Sequence, residues 1–123
     1  MTYAYWYLFI LIFLPYCFTI LAKIKPGFDN SKPREFLESL EGWRKRSHWV
    51  QLNSYEIFPP FAASLIIAHQ LKAPQNKVDM IALSFLMFRI LYGFFYLFNK
   101  SILRTLAWLC SLGCIIGLFI IAA

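Results

Sequence analysis

The chain has 123 residues, of which 60% are hydrophobic, 20% are aromatic and only 15% are charged. Soluble domains contain roughly 45–50% apolar and about 25% charged residues, and one core of this length cannot hide so many apolar side chains from water. The composition therefore excludes a soluble enzyme and predicts a membrane protein. The net charge of +6 comes from twelve Lys and Arg against six Asp and Glu.

Four apolar segments predict membrane-spanning helices at about residues 3–22, 49–71, 78–98 and 102–123. A helix of twenty residues rises about 30 Å, which is the thickness of the hydrocarbon core. The first segment has no charge, and Lys23 and Lys25 follow it rather than precede it, so we expect a retained anchor and not a cleaved signal. The second segment is only weakly apolar, because it contains Asn53, Glu56 and two prolines.

These segments predict one all-α domain over residues 1–123, an integral membrane four-helix bundle with up-down topology. The connections 72–77 and 99–101 are short, which makes the second, third and fourth helices antiparallel neighbours. The long connection, 23–48, contains an amphipathic stretch over 33–46 with apolar residues at helical spacing. We expect this stretch to lie on the membrane surface or to extend the second helix.

The distribution of Lys and Arg predicts the orientation, because positive loops are retained on the cytoplasmic side. Nine of the twelve lie in the 23–48 connection or around the 99–101 turn, and the opposite side has only Lys72 and Lys77. Both termini should therefore face away from the cytoplasm. The positive charge is explained by anionic lipid beside these loops, so nucleic acid is not expected as a partner.

Polar side chains inside the predicted spans indicate a candidate site. An ionisable group in mid-span costs roughly 2.5–3.5 kcal/mol, so such groups face the interior and usually have a function. Measured from the cytoplasmic ends, Asn53 and Glu56 lie about 6 and 10 Å deep, and Tyr92 and Arg89 about 10 and 15 Å deep. Two interpretations are open: a Glu56–Arg89 ion pair that only joins helices, or a cavity that opens to the cytoplasm.

The three cysteines do not predict additional chemistry. Cys17, Cys110 and Cys114 are odd in number and lie inside predicted spans, so no disulfide framework is expected. Cys110 and Cys114 share a helix face, but no His or acid accompanies them, so we expect packing residues and no metal site.

Residues of three segments resemble the signature of the MAPEG family, the membrane-associated proteins of eicosanoid and glutathione metabolism. An Arg just before the second segment is followed by Asn seven residues later, and then by Glu, Pro and an apolar residue at intervals of three, three and two. The third segment matches an Arg, His-or-Tyr, Tyr series, and the fourth an Arg–Thr pair. The matching residues are Arg46, Asn53, Glu56, Pro59, Phe61, Arg89, Tyr92, Tyr96, Arg104 and Thr105.

The resemblance implies a homotrimer that binds glutathione, as a co-substrate, between adjacent protomers near the cytoplasmic side. Arg104 would hold and activate the glutathione thiol, with Thr105 beside it, and these two would be the catalytic residues. The glutathione-binding residues would be Arg46, Asn53, Glu56, Arg89, Tyr92 and Tyr96.

Thiol chemistry agrees with this role for Arg104. A thiol with a pKa near 8.5 is mostly protonated at neutral pH, and a guanidinium at a helix N-terminus favours the nucleophilic thiolate. The bilayer would concentrate a lipophilic electrophile or a lipid hydroperoxide for the thiolate to attack. The sequence therefore predicts a membrane glutathione transferase or a glutathione-dependent peroxidase.

A non-catalytic protein of the same fold is the alternative. Family enzymes often have further arginines one and four positions before the Asn, where this chain has Leu52 and Trp49. Such a protein would bind a lipid or a partner in the cleft between subunits. A small transporter or channel subunit fits less well, because one Glu and one Arg do not form a continuous polar path.

Overall fold

The computed structural model describes residues 1–25, 27–28 and 30–123, and these residues form five α-helices and no strand. The helices are α1 (Tyr3–Lys23), α2 (Pro33–Glu38), α3 (Gly42–Gln70), α4 (Gln75–Leu97) and α5 (Ser101–Ala122). The all-α fold class is confirmed, with one short helix more than the sequence predicts.

Three helices, α1, α4 and α5, are long and apolar enough to cross a membrane, judged by length and composition. The length and hydropathy of these helices are those of an integral membrane protein. The longest helix, α3, has 29 residues but is not one of these three among the described residues, because its polar side chains lower its hydropathy. It packs against α1, α4 and α5, and some of its polar residues, such as Ser47, Ser54 and Ser64, are buried.

Contacts between helix ends show the directions of the long helices. At the start of α1, the backbone N–H of Ala4 donates to Oδ1 of Asp79 near the start of α4, at 2.9 Å. The ring of Tyr5 lies 5.0 Å from the ring of His69 at the end of α3. Helices α1 and α4 therefore run in the same direction, and α3 runs opposite to both.

An apolar core fills the space between the long helices. The rings of Phe61 on α3 and Phe85 on α4 are buried and stack with their centroids 3.8 Å apart. Nearer the other end, α4 approaches α1 closely at Gly93, where a Cβ would overlap the ring of Phe18. A glycine is therefore needed at position 93 for α1 and α4 to pack at this distance.

The amphipathic stretch 33–46 is not one continuous helix. Helix α2 ends at Glu38 and α3 begins at Gly42, whose φ of +64° lies in the left-handed region that glycine adopts without a steric cost. Leu37 and Leu40 are buried with Ala22 of α1, and residues 42–46 extend α3 beyond the predicted span. The predicted connection 23–48 also includes positions 26 and 29, which lie outside the described residues.

Candidate functional site

A hydrogen bond between α3 and α4 lies at the centre of the polar cluster. Arg89 is only 2% exposed, and its Nη2 donates to Oδ1 of Asn53 at 2.7 Å. Its guanidinium carbon also lies 4.2 Å from the ring centroid of Tyr92. Glu56 is exposed, and no Glu56–Arg89 ion pair occurs among the described residues. Of the two interpretations left open by the sequence, the ion pair is therefore wrong.

Aromatic rings connect this cluster to the first turn of α5. The rings of Tyr92 and Tyr96 meet edge to face, with centroids 5.6 Å apart. The guanidinium carbon of Arg104 lies 4.5 Å from the centroid of the Tyr96 ring. The ring of Trp49 also contacts Tyr96, with centroids 6.2 Å apart. Cation–π contacts contribute about 0.5–2 kcal/mol each, so these rings help to hold Arg104 in place.

Four of the predicted site residues line one cavity of about 210 Å³. Asn53 comes from α3, Tyr92 from α4, and Arg104 and Thr105 from α5, together with Trp108. Small-molecule pockets usually measure about 300–1,000 Å³, so this cavity is smaller than a typical small-molecule pocket. Trp108 was missed by the sequence analysis, although its spacing of four residues from Arg104 places both on one face of α5.

Arg104 lies at a position where its positive charge can stabilise a bound anion. It is the fourth residue of α5 and is partly exposed, so its cation lies near the positive end of the helix macrodipole. Thr105, the next residue, is exposed, and its hydroxyl donates to the carbonyl of Ser101 at 3.0 Å. The hydroxyl oxygen can still accept a hydrogen bond from a ligand.

The other predicted binding residues lie outside this cavity. Arg46 donates from Nε and Nη2 to the carbonyls of Tyr96 and Leu97, at 3.0 and 3.1 Å, and so caps the last turn of α4. Glu56 lies on the exposed surface of α3. Arg89 bonds to Asn53 but is not one of the residues that line the cavity.

A second cavity, of about 550 Å³, lies between α2 and α3. On its wall Nδ1 of His48 lies 3.3 Å from Oε1 of Gln51, and Nε2 of Gln51 donates to the hydroxyl of Tyr55 at 2.9 Å. This chain of hydrogen bonds was not predicted from the sequence, although the spacing of three and four residues places the side chains on one face. Within the described part of the chain, no group of His, Cys, Asp and Glu could hold a metal ion.

The fold and the cavity define an integral membrane protein of apolar helices, in which Arg104, Asn53 and Tyr92 line a cavity near the helix ends. The chain belongs to the MAPEG family: the model described as MAPEG family matches residues 1–123, the whole chain. This family includes glutathione transferases and related membrane proteins, and the resemblance seen in the sequence is confirmed. Neither a curated protein nor a solved structure matches the chain.

Proposed function

We propose that the protein is a membrane-embedded glutathione transferase or glutathione-dependent peroxidase that acts on lipophilic electrophiles. The position of Arg104 carries this proposal. Its guanidinium lies in the first turn of α5, is held against Tyr96 and lines the same cavity as Asn53, Tyr92 and Thr105. A fixed cation at a helix N-terminus favours a thiolate over a thiol.

The groups that line the cavity fit the functional groups of glutathione. Glutathione carries two carboxylates, amide carbonyls and a thiol, which need hydrogen-bond donors and positive charge, and one ammonium group, which needs an acceptor. Arg104 offers charged donors, Asn53 offers an amide, Tyr92 offers a hydroxyl and Trp108 offers an indole N–H. The set therefore supplies more donors than acceptors, as an anionic ligand requires.

The proposed chemistry follows from a thiolate held at Arg104. In a transferase reaction, the sulfur forms a thioether bond with the electrophilic carbon as the leaving group departs. In a peroxidase reaction, two glutathiones reduce a lipid hydroperoxide to an alcohol and water and are oxidised to the disulfide. The apolar helices around the cavity give a lipophilic substrate access from the bilayer.

We further propose that the protomer is a four-helix bundle and that three protomers form the complete protein. The cavity of one protomer is small, and Glu56, Pro59 and Pro60 are exposed on α3. An acidic side chain facing lipid is costly, so a neighbouring protomer would cover this surface and complete the site. Native mass spectrometry in detergent should give three copies, and a monomer that binds glutathione with full affinity would contradict this assembly.

Both termini are proposed to face away from the cytoplasm, with the 23–48 connection and the α4–α5 turn on the cytoplasmic side. The bonds from Arg46 to the end of α4 place the start of α3, the end of α4 and Arg104 at the same end of the molecule. This end therefore combines the two basic regions. A terminal epitope tag should be digested by protease only from the non-cytoplasmic side of sealed vesicles.

The activity is tested with detergent-solubilised protein. Addition of glutathione should produce ultraviolet thiolate absorbance, and the protein should conjugate chlorodinitrobenzene or reduce a lipid hydroperoxide. Arg104→Ala should lower turnover about 10²–10³-fold, the usual cost of losing one group that stabilises developing negative charge. Lys100→Ala is the matched control, because it removes an exposed cation one turn away. Wild-type protein with neither thiolate nor turnover would contradict the proposal.

A non-catalytic binding protein is the second candidate. Trp49 and Leu52 are exposed on α3 and supply no charge at positions where arginines would meet the carboxylates of glutathione. A thermal-shift titration separates the candidates, because a ligand that binds only the folded state raises the apparent stability with concentration. No response to glutathione, together with a lipid retained through purification, would support the second candidate.

A further inference from the structure

The bond from Arg89 fixes the orientation of the Asn53 amide. A guanidinium only donates hydrogen bonds, so the atom of Asn53 that lies 2.7 Å from Nη2 is the amide oxygen, Oδ1. Asn53 lines the 210 Å³ cavity. The amide N–H₂ group is therefore the polar group that Asn53 can present to a ligand in this cavity.

The second terminal nitrogen of Arg89 lacks a protein partner. Nη1 is buried and is the one buried side-chain nitrogen or oxygen without a hydrogen bond in the described part of the chain. Such a group needs an explanation, and an unseen water is a common one. Arg89 also lines a separate, small cavity of about 10 Å³, which is close to the minimum of about 10–15 Å³ that one water needs.

Two acceptors on residues that line this small cavity could complete the coordination of a water. Pro15 has no N–H, so the carbonyl of Leu11, four residues earlier in α1, lacks its helical partner. The hydroxyl of Ser54 donates to the carbonyl of Val50 at 2.8 Å, which leaves its oxygen free to accept. Leu11, Ser54 and Arg89 all line the cavity. One water there could accept from Arg89 and donate to both others, which is the usual number of about three bonds.

We propose that Arg89 is a positioning residue. One buried water beside Pro15 holds its Nη1, and its Nη2 turns the amide N–H₂ of Asn53 toward the ligand cavity. Arg89 then acts on a ligand through Asn53 and not by direct contact, and the ligand must place an acceptor oxygen opposite the amide. The effect on glutathione rests on the proposed function, whereas the water and the orientation of the amide do not.

The water is tested without any ligand. A high-resolution structure of the wild-type protein should show one water between Arg89, Ser54 and the carbonyl of Leu11, and Ser54→Ala should remove it. Ser111→Ala is a matched control, because Ser111 is also buried and also donates to the carbonyl four residues earlier, at 2.9 Å. Ser54→Ala should lower the Tm more than Ser111→Ala. An empty cavity in the wild type, or equal Tm losses, would overturn the proposed water.

The orientation of the amide is tested by Asn53→Asp. Aspartate keeps an oxygen that can accept from Arg89, so the Tm without ligand should be retained or raised. However, aspartate has a second oxygen where asparagine has the N–H donors. The Kd and the KM for glutathione should then both rise about ten- to a hundredfold, which corresponds to the loss of one hydrogen bond to a charged group. Asn53→Ala should lower the Tm and also weaken binding, and Arg89→Lys should raise KM more than it lowers kcat.

The two proposals fail in different ways. If Asn53→Asp binds glutathione as tightly as the wild type, the positioning role is overturned while the transferase proposal stands. If the wild-type protein does not bind glutathione at all, the proposed function fails. The Tm difference between Asn53→Asp and Asn53→Ala then still tests the Arg89–Asn53 bond, and equal values would overturn it.

Discussion

The guanidinium of Arg104 lies over the ring of Tyr96, with its central carbon 4.5 Å from the ring centroid. The two residues belong to different helices, α5 and α4, and Tyr96 also contacts the rings of Tyr92 and Trp49. Arg104 is therefore placed before a ligand arrives, which reduces the side-chain entropy that binding would otherwise cost.

Replacement of Tyr96 separates the effect of its ring from that of its hydroxyl. Tyr96→Leu removes the cation–π contact, worth about 0.5–2 kcal/mol, and should lower kcat/KM with glutathione about two- to thirtyfold. Tyr96→Phe keeps the ring and should retain most of the activity. Steady-state kinetics with thiolate absorbance check this prediction, and equal losses in both variants would assign the effect to the hydroxyl.

Gly93 should be intolerant of any side chain. A Cβ at this position would overlap the ring of Phe18, so Gly93→Ala should destabilise the protein by about 1–3 kcal/mol. Gly113→Ala is the matched control, because a Cβ at Gly113 meets nothing within 4 Å, and alanine favours a helix interior by roughly 0.5–1 kcal/mol. Thermal unfolding in detergent should show a lower Tm than the wild type for Gly93→Ala but not for Gly113→Ala.

Arg46 should contribute to stability in the absence of glutathione. Arg46→Ala removes two bonds to the last carbonyls of α4 and should lower the stability by about 1–3 kcal/mol. Arg46→Lys keeps the charge near the negative end of the helix dipole and should have a smaller effect. If neither variant changes the Tm but both weaken glutathione binding, Arg46 would be a ligand contact, as the resemblance implies.

Asp79 should join the starts of α1 and α4. Its Oδ1 accepts from the backbone N–H of Ala4 at 2.9 Å and from Nε2 of Gln75 at 2.8 Å. Asp79→Ala leaves the N–H of Ala4 without this acceptor and should cost about 0.5–2 kcal/mol, as the loss of a helix N-cap does. Asp79→Asn keeps an acceptor oxygen, so its Tm should lie between those of Asp79→Ala and the wild type.

Several features of the site could be predicted from local pattern. Arg89, Tyr92 and Tyr96 lie on one face of α4 because their spacing of three and four residues follows the helical repeat. The estimated depths, about 6 Å for Asn53 and about 15 Å for Arg89, put both residues in the same half of the bundle but did not predict that they form a hydrogen bond. Gly42 shows the limit of this approach, because the apolar spacing continues through it while its positive φ separates α2 from α3.

Hydropathy, helical spacing and the signature are properties of residues near one another in the chain, so the membrane class, the four long helices and the family could be predicted without the fold. The partners of the charged groups could not be predicted in this way, because they depend on contacts between helices. Arg89 bonds to Asn53 and not to Glu56, and Arg46 bonds to the carbonyl of a residue 50 positions away. The rotation of each helix about its axis determines which side chains face each other. This rotation depends on the packing of side chains such as Phe18 against Gly93.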